Sequence, residues 1–336
     1  MSENTPETLH ICGYGKKLKK HNDMLVVEWK EEDEERSLSL TSSRLQHVIL
    51  SGEHVISTGA IRLMFENDIS LSYMDGMGNP IGYIFPHEKG RHVQTWEKQM
   101  LISEKRAVAI AKAICKASAA NKVSVLLSLQ KNRGTDVDKR VRDMKLAAES
   151  MDRALNSDEL MGIEGSVSKL YFGSIAQVLP QELGFIGRIK HPSSDIVNVM
   201  LSYGYGILYA KVRRAVISAN LNPYKGVLHA SYKDQEALVY DLVEEFRQPV
   251  VDKVVLRMVG KKQVSVEDYV LEGDICLMKD HFKKEFANEV FARLESETKY
   301  ENGKKSFDDI IMEQAQKFRA CVVEGADYVP FVFKSR

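Results

Sequence analysis

The alternation of apolar and polar positions changes character near residue 90 of this 336-residue chain. Over residues 8–85 it has a short period. LHICGYG, MLVVEW, RSLSL, HVILSG, ISLSYM and GYIF are β-branched or aromatic runs of strand length, separated by charged or Gly-containing stretches such as KKLKKHND, KEEDEE and MDGMGNPIG. One helical interruption, STGAIRLMFE at residues 57–66, falls between two of the runs. Strands recurring roughly every 8–12 residues predict a small sandwich or a folded-over sheet. From His92 onward the apolar spacing becomes helical. Residues 97–120 are rich in Ala and Lys with no turn signal, residues 122–132 and 136–156 continue the bias, and only EGDICLM at 272–278 predicts a short hairpin. The fold class expected is α+β, with an N-terminal β domain over residues 1–90 and a larger, mainly α-helical domain over 91–336.

Within the helical half, three stretches carry residues that could do chemistry. Ser157, Asp158 and Glu159 predict a helix start, and Val167, Leu170, Tyr171, Ile175 and Val178 form its apolar stripe. Glu164 projects into that stripe. A carboxylate facing a core is costly unless it is paired, protonated or metal-bound; the alternative is a loose first turn that points it to water. Gly162 and Gly165 beside it permit a close approach. The second stretch is a helix over residues 194–220, started by Ser194 or Asp195 and ended by Asn220 and Pro223. It presents Tyr205 and Tyr209 on one face, followed by Lys211, Arg213 and Arg214. These suit stacked bases and phosphates, or equally a core face and a solvated helix end.

In the third stretch, residues 226–247, His229 precedes a helix whose apolar side is Leu238, Val239, Leu242, Val243 and Phe246. Asp241, Glu244, Glu245 and Gln248 project to the opposite side. Repulsion among such acids costs a few tenths of a kcal/mol per exposed pair. The face therefore reads either as a solvated acidic surface or as one that takes a cation. His229 alone, after Val227 and Leu228, reads as a hydrogen-bonded core histidine or as a ligand; with Glu164 and Glu244 it makes a set from three separate elements, and an imidazole with two carboxylates suits Mn2+ and tolerates Mg2+.

Composition narrows the partners. The chain is 44% hydrophobic and 28% charged, an ordinary globular balance. Lys plus Arg equals Asp plus Glu at 47 each, so a polyanion-binding surface must come from segregated charge. Cys12, Cys115, Cys276 and Cys321 form no CxxC pair, which predicts reduced thiols and no zinc site built on cysteine. MSENTPETLH has no export signal, and the apolar run at 196–210 is too short and too polar to span a bilayer. A cytoplasmic protein without membrane attachment is expected.

EGSVSKLYF (164–172), DIVNVMLSYGYGILYAKV (195–212), NPYKGVLH (222–229) and LVYDLVEEFRQPVVD (238–252) stand in this order, with HVILSGEHVISTGAIRLMFENDISLSYMDGMGNPIGYI (47–84) before them. Together they resemble the CRISPR-associated spacer-acquisition integrase family over residues 8–325. The resemblance implies Mg2+ or Mn2+ held by Glu164, His229 and Glu244, with Asp241 supporting the catalytic set. It implies DNA contacts at Tyr171, Asn198 and Arg247, and less closely at Lys211. Ser168 with Lys169 departs from the alanine–arginine type of pair common in the family. The implied assembly is a homodimer through the β domain, two such dimers flanking a small ferredoxin-like partner, with double-stranded prespacer and repeat DNA across it. The implied reaction is attack of a DNA 3′-hydroxyl on a phosphodiester. Two other readings stand beside it. One is a related mobile-element integrase, against which the chain's ending soon after its last helix would count; the other is a non-catalytic DNA-binding scaffold.

Overall fold

The computed structural model describes residues 7–31, 34–85, 92–133, 137–189, 193–229 and 235–334. The chain divides into two compact units, residues 1–89 and 90–336.

The first unit contains β1 (Glu7–Cys12), β2 (Lys17–His21), β3 (Met24–Glu31), β4 (Glu34–Thr41), β5 (Leu45–Ser51), β6 (Val55–Ile56), α1 (Thr58–Glu66), β7 (Ser70–Met74) and β8 (Pro80–Ile84). One sheet has the order β1-β5-β7-β8 and the other β4-β3-β2-β6. Leu9, Leu18, Leu25, Val48, Leu63 and Leu71, drawn from both sheets and from α1, share one core. Two stretches expected to be breaks contribute residues to strands. In KKLKKHND only Leu18 of β2 turns inward, so one apolar residue among lysines gives no alternation to read. In KEEDEE, Glu31 pairs with Glu34 at the exposed end of the β3–β4 ladder, where water screens the acids.

The second unit contains α2 (His92–Met100), α3 (Glu104–Arg133), α4 (Asp138–Ser150), α5 (Ser157–Val178), α6 (Ile196–Ser218), α7 (Ala237–Val243), α8 (Lys253–Gly260), β9 (Tyr269–Glu272), β10 (Ile275–Met278), α9 (Asp280–Glu295), β11 (Glu297–Tyr300), β12 (Gly303–Ser306) and α10 (Phe307–Val323). A strand-rich N-terminal region followed by a mainly helical one is the α+β class expected. The hairpin predicted at EGDICLM is β9–β10. A second one, β11–β12, was not predicted; it buries little beyond Thr298 and Tyr300, so its polar alternation hides it.

α5 begins at Ser157, one residue earlier than a Ser157 cap would place it, because Asn156 supplies the cap and accepts from Glu159 N at 2.9 Å. α6 is capped by Asp195, which accepts from Asn198 N at 2.8 Å, and Asn220 follows its end at φ 59°. It is buried along nearly its whole length. Gly204 makes that possible: a Cβ there would meet Val251 Cγ1 at 2.5 Å and Phe286 Cζ at 3.2 Å. All four cysteines are free and buried. Among the described residues no helix is long and apolar enough to cross a membrane.

Candidate metal centre

The chain around Glu244 is not a regular helix. After α7 the amides of Glu244, Glu245 and Phe246 bond back only three residues, to the carbonyls of Asp241, Leu242 and Val243 at 3.3, 3.4 and 2.9 Å. A widened π-helical turn, Arg247–Asp252, follows. Pro249 explains part of this irregularity. It has no N–H to offer the carbonyl of Glu245, four residues earlier, and that carbonyl accepts instead from Asn121 Nδ2 of α3 at 2.8 Å. A tight turn followed by a wide one sends neighbouring acids in different directions. Asp241, Glu244, Glu245 and Gln248 are all buried, so the solvated acidic face is excluded. Irregular helix of this kind often marks a functional site.

Glu164 and Glu244 are joined across α3 by a continuous hydrogen-bonded chain. Lys122 Nζ donates to Glu164 Oε1 at 2.9 Å and to Ser118 Oγ at 2.7 Å, and Ser118 Oγ donates to Glu244 Oε2 at 3.4 Å. Beyond it, Arg247 Nη1 lies 2.8 Å from Glu244 Oε1. The Lys122 side chain is 2% exposed, that of Glu164 24% and that of Glu244 7%. Ser168, at the position that departs from the family pattern, donates to Glu164 Oε1 at 2.6 Å. Burial would lift the Glu164 carboxyl, but the Lys122 charge and the hydrogen bonds from Ser168 and Lys122 outweigh it and hold the pKa well below the usual range. Gly162 and Gly165 face open space.

His229 is positioned by one buried carboxylate. Asp241 Oδ2 accepts from Val227 N at 2.6 Å and Leu228 N at 3.1 Å, while Oδ1 accepts from His229 N at 2.9 Å and lies 2.8 Å from His229 Nδ1. Such a carboxylate sets the tautomer and leaves Nε2 as the nitrogen that Asp241 does not engage. Gly226 gives the loop room, since a Cβ there would sit 2.5 Å from Asp241 Oδ2 and 2.9 Å from Ala237. Burial lowers the His229 pKa, but the hydrogen bond and charge of Asp241, with Glu244 behind them, turn the net shift upward.

The residues that the resemblance linked to DNA are placed differently. Tyr171 is buried and donates to Asp252 Oδ2 at 2.9 Å, and Tyr205 donates to Asp252 Oδ1 at 2.6 Å. Burial lifts the Asp252 carboxyl to about 6 despite these two phenols. Asn198 is buried between Asp195 Oδ2, 2.7 Å away, and the Gly187–Ile189 backbone. Lys211 is 3% exposed and pairs with Asp308 Oδ2 at 2.5 Å. These three spend their polar groups on partners inside the unit. Arg247 is 19% exposed, with its guanidinium 5.1 and 5.5 Å from the Tyr205 and Tyr209 ring centres and hydrogen-bonded to Tyr209 Oη. Of the two roles left open for these tyrosines, the core one holds.

Sequence reasoning missed Ser118, Asn121 and Lys122. The signal was available: Val108, Ala111, Cys115, Ala119, Lys122, Leu126 and Leu129 form one buried stripe of α3, and Lys122 interrupts it as Glu164 interrupts that of α5.

Two hard carboxylates and an imidazole braced by a third carboxylate are a donor set that fits a divalent ion. Among the described residues, no three or more His, Cys, Asp or Glu side chains are arranged to hold one as they stand. Lys122 and Arg247 already occupy Glu164 and Glu244.

A strand-rich unit followed by a mainly helical one, with carboxylates, an imidazole and cations gathered near a helix irregularity, is the architecture to set beside known proteins. The family model "CRISPR associated protein Cas1" matches residues 9–291. The chain is 36% identical over 332 residues to "CRISPR-associated endonuclease Cas1 1" of Methanospirillum hungatei, covering 97% of this chain and 98% of the relative. It is 32% identical to the protein of that name from Archaeoglobus fulgidus, covering 97% and 99%. A casposase bound to integration product superposes with TM-score 0.88 at 20% identity, covering 96% and 92%. A CAS1 protein from Thermotoga maritima superposes with TM-score 0.80 at 22% identity, covering 98% and 100%. The chain belongs to the Cas1 family of CRISPR-associated proteins.

Proposed function

We propose that this chain is a metal-dependent DNA integrase and endonuclease, with Glu164, His229 and Glu244 holding Mg2+ or Mn2+. The observation that carries the reading is the hydrogen-bonded chain Glu164–Lys122–Ser118–Glu244, which brings two carboxylates 80 residues apart onto one face of α3. The endonuclease relatives, matched over almost their full length, support the activity.

The reaction is transesterification. The 3′-oxygen of a prespacer end bonds to phosphorus at a repeat boundary, the bond from phosphorus to the resident 3′-oxygen breaks, and that oxygen takes up a proton. With water as nucleophile the same site cleaves. When bound, the ion supplies Lewis-acid stabilisation of charge on the phosphoryl oxygens. Asp241 keeps His229 in one tautomer and orientation, so the imidazole presents Nε2 without reorganising. Lys122 and Arg247, which pair with the two carboxylates in the metal-free chain, supply positive charge close to where phosphate charge would accumulate. Tyr171, Tyr205 and Asp252 brace α5 and α6 against the π-helical turn that follows Glu244.

The partners proposed with it are a second copy of the chain through the strand-rich unit, a small ferredoxin-like subunit, and double-stranded DNA. The test is strand transfer of a 3′-hydroxyl duplex into a repeat-bearing plasmid with Mn2+. His229→Ala is expected to abolish product. Undiminished product from that variant would remove the metal centre from the reaction.

A further inference from the structure

Residues 325–334 lie beyond residue 291, where the match to the family model ends, and form no helix or strand. Such segments usually fray unless something ties them down. Here Tyr328 OH donates to Glu245 Oε1 at 2.5 Å and Phe331 N donates to Glu245 Oε2 at 2.6 Å. Asn121 completes the circuit: Nδ2 donates to the carbonyls of Glu245 and Phe331 at 2.8 and 3.2 Å, and Oδ1 accepts from Phe333 N at 2.7 Å. The Phe331 ring stacks on Phe246 with centroids 5.5 Å apart and planes 9° from parallel. The Tyr328, Phe331 and Asn121 ties reach Glu245 and Phe246, the two residues that follow Glu244 in its tight turn, and Asn121 also holds the Phe331 and Phe333 backbone.

Packing alone does not account for the carboxylate. Glu245 is fully buried, and an apolar side chain of similar size would fill the space without the cost of desolvating a charge. Two fixed acceptor oxygens do something an apolar residue cannot, because they accept only when a phenol and an amide three residues apart arrive in register. The same Glu245 carries the carbonyl that Pro249 leaves to Asn121, so its backbone and side chain are both clamped.

We propose that this C-terminal strap is a positioning element for the metal centre: Tyr328 and the Phe331 amide hold Glu245, and through it the turn that aims Glu244. Tyr328 is a positioning residue, acting at one remove from the ligands. The proposal rests on the assignment of Glu164, His229 and Glu244 as the metal site.

The test measures Mn2+ affinity by electron paramagnetic resonance on the full-length protein, below the melting temperature of each variant. Tyr328→Phe keeps the ring and removes one donor, and is expected to weaken Mn2+ binding about tenfold, the usual effect of losing an outer support. Strand transfer should fall with it and recover at high Mn2+. Leu294→Ala, a buried change on α9, controls for stability; it should lower the melting temperature and leave affinity alone. If Tyr328→Phe melts too low to assay, Glu245→Gln, which keeps one acceptor of two, should show the same weakening. Wild-type affinity in the variant assayed, with Glu164→Ala binding weakly, overturns the strap proposal alone. Wild-type affinity in Glu164→Ala overturns the metal-site assignment, and the proposal with it.

Discussion

Lys122 Nζ sits 2.9 Å from Glu164 Oε1 with its side chain 2% exposed, so the ammonium holds the charge of the proposed ligand when no ion does. Lysine and metal then compete for one carboxylate. Lys122→Met should destabilise the metal-free protein by on the order of 2 kcal/mol, because it strands a largely buried charge. The same variant should gain more from Mn2+ than the wild type, since ligand binding adds stability according to affinity. Calorimetry with and without Mn2+ reads both effects. An equal Mn2+ increment in the two proteins would show that Lys122 does not compete.

The grip of Asp241 on the His229 loop gives a second expectation. Asp241→Asn replaces one acceptor oxygen with a donor facing backbone N–H groups at 2.6–3.1 Å. Strand transfer should fall about 10- to 100-fold. Gly226→Ala should lower activity and melting temperature together, because its Cβ would lie 2.5 Å from the same carboxylate. An active Gly226→Ala protein would mean that the loop can move away without cost.

Asp252 predicts a dependence on pH. Its carboxyl is lifted to about 6 in the fold, mainly by burial, from an ordinary value near 3.8. Between those values the folded state keeps a proton that the unfolded state has lost, so unfolding releases it. The stabilising contribution is complete below about pH 4 and is lost as pH rises through 6, in total roughly 3 kcal/mol. Asp252→Asn cannot titrate. The stability difference between wild type and this variant should therefore change across pH 4–6 and stay level from pH 7 to 8; a difference constant throughout would place the Asp252 pKa near normal.

Much of this architecture was legible because periodicity survives folding. The change near residue 90, the helix over 58–66 and the hairpin at EGDICLM all declare themselves by spacing. Glu164 was legible as a charge inside an apolar stripe. Lys122 obeys the same rule but hides in an Ala- and Lys-rich helix, where lysines ordinarily point outward with their stems along the surface. The environment of the acids at 241–248 was not legible by projection, since a uniform helix of about 3.6 residues per turn puts Glu244 and Glu245 on one face. Pro249 was the visible sign that the helix could not stay uniform. Tyr171, Asn198 and Lys211 carry polar groups that pattern alone cannot separate into inward and outward; burial by surrounding helices decides it.

The most direct test of the account is diffraction at the manganese absorption edge from Mn2+-soaked crystals. The account predicts one anomalous peak bounded by Glu164, His229 Nε2 and Glu244, with Lys122 drawn off the Glu164 carboxylate. A peak bound by other residues, or none at saturating Mn2+, would contradict it.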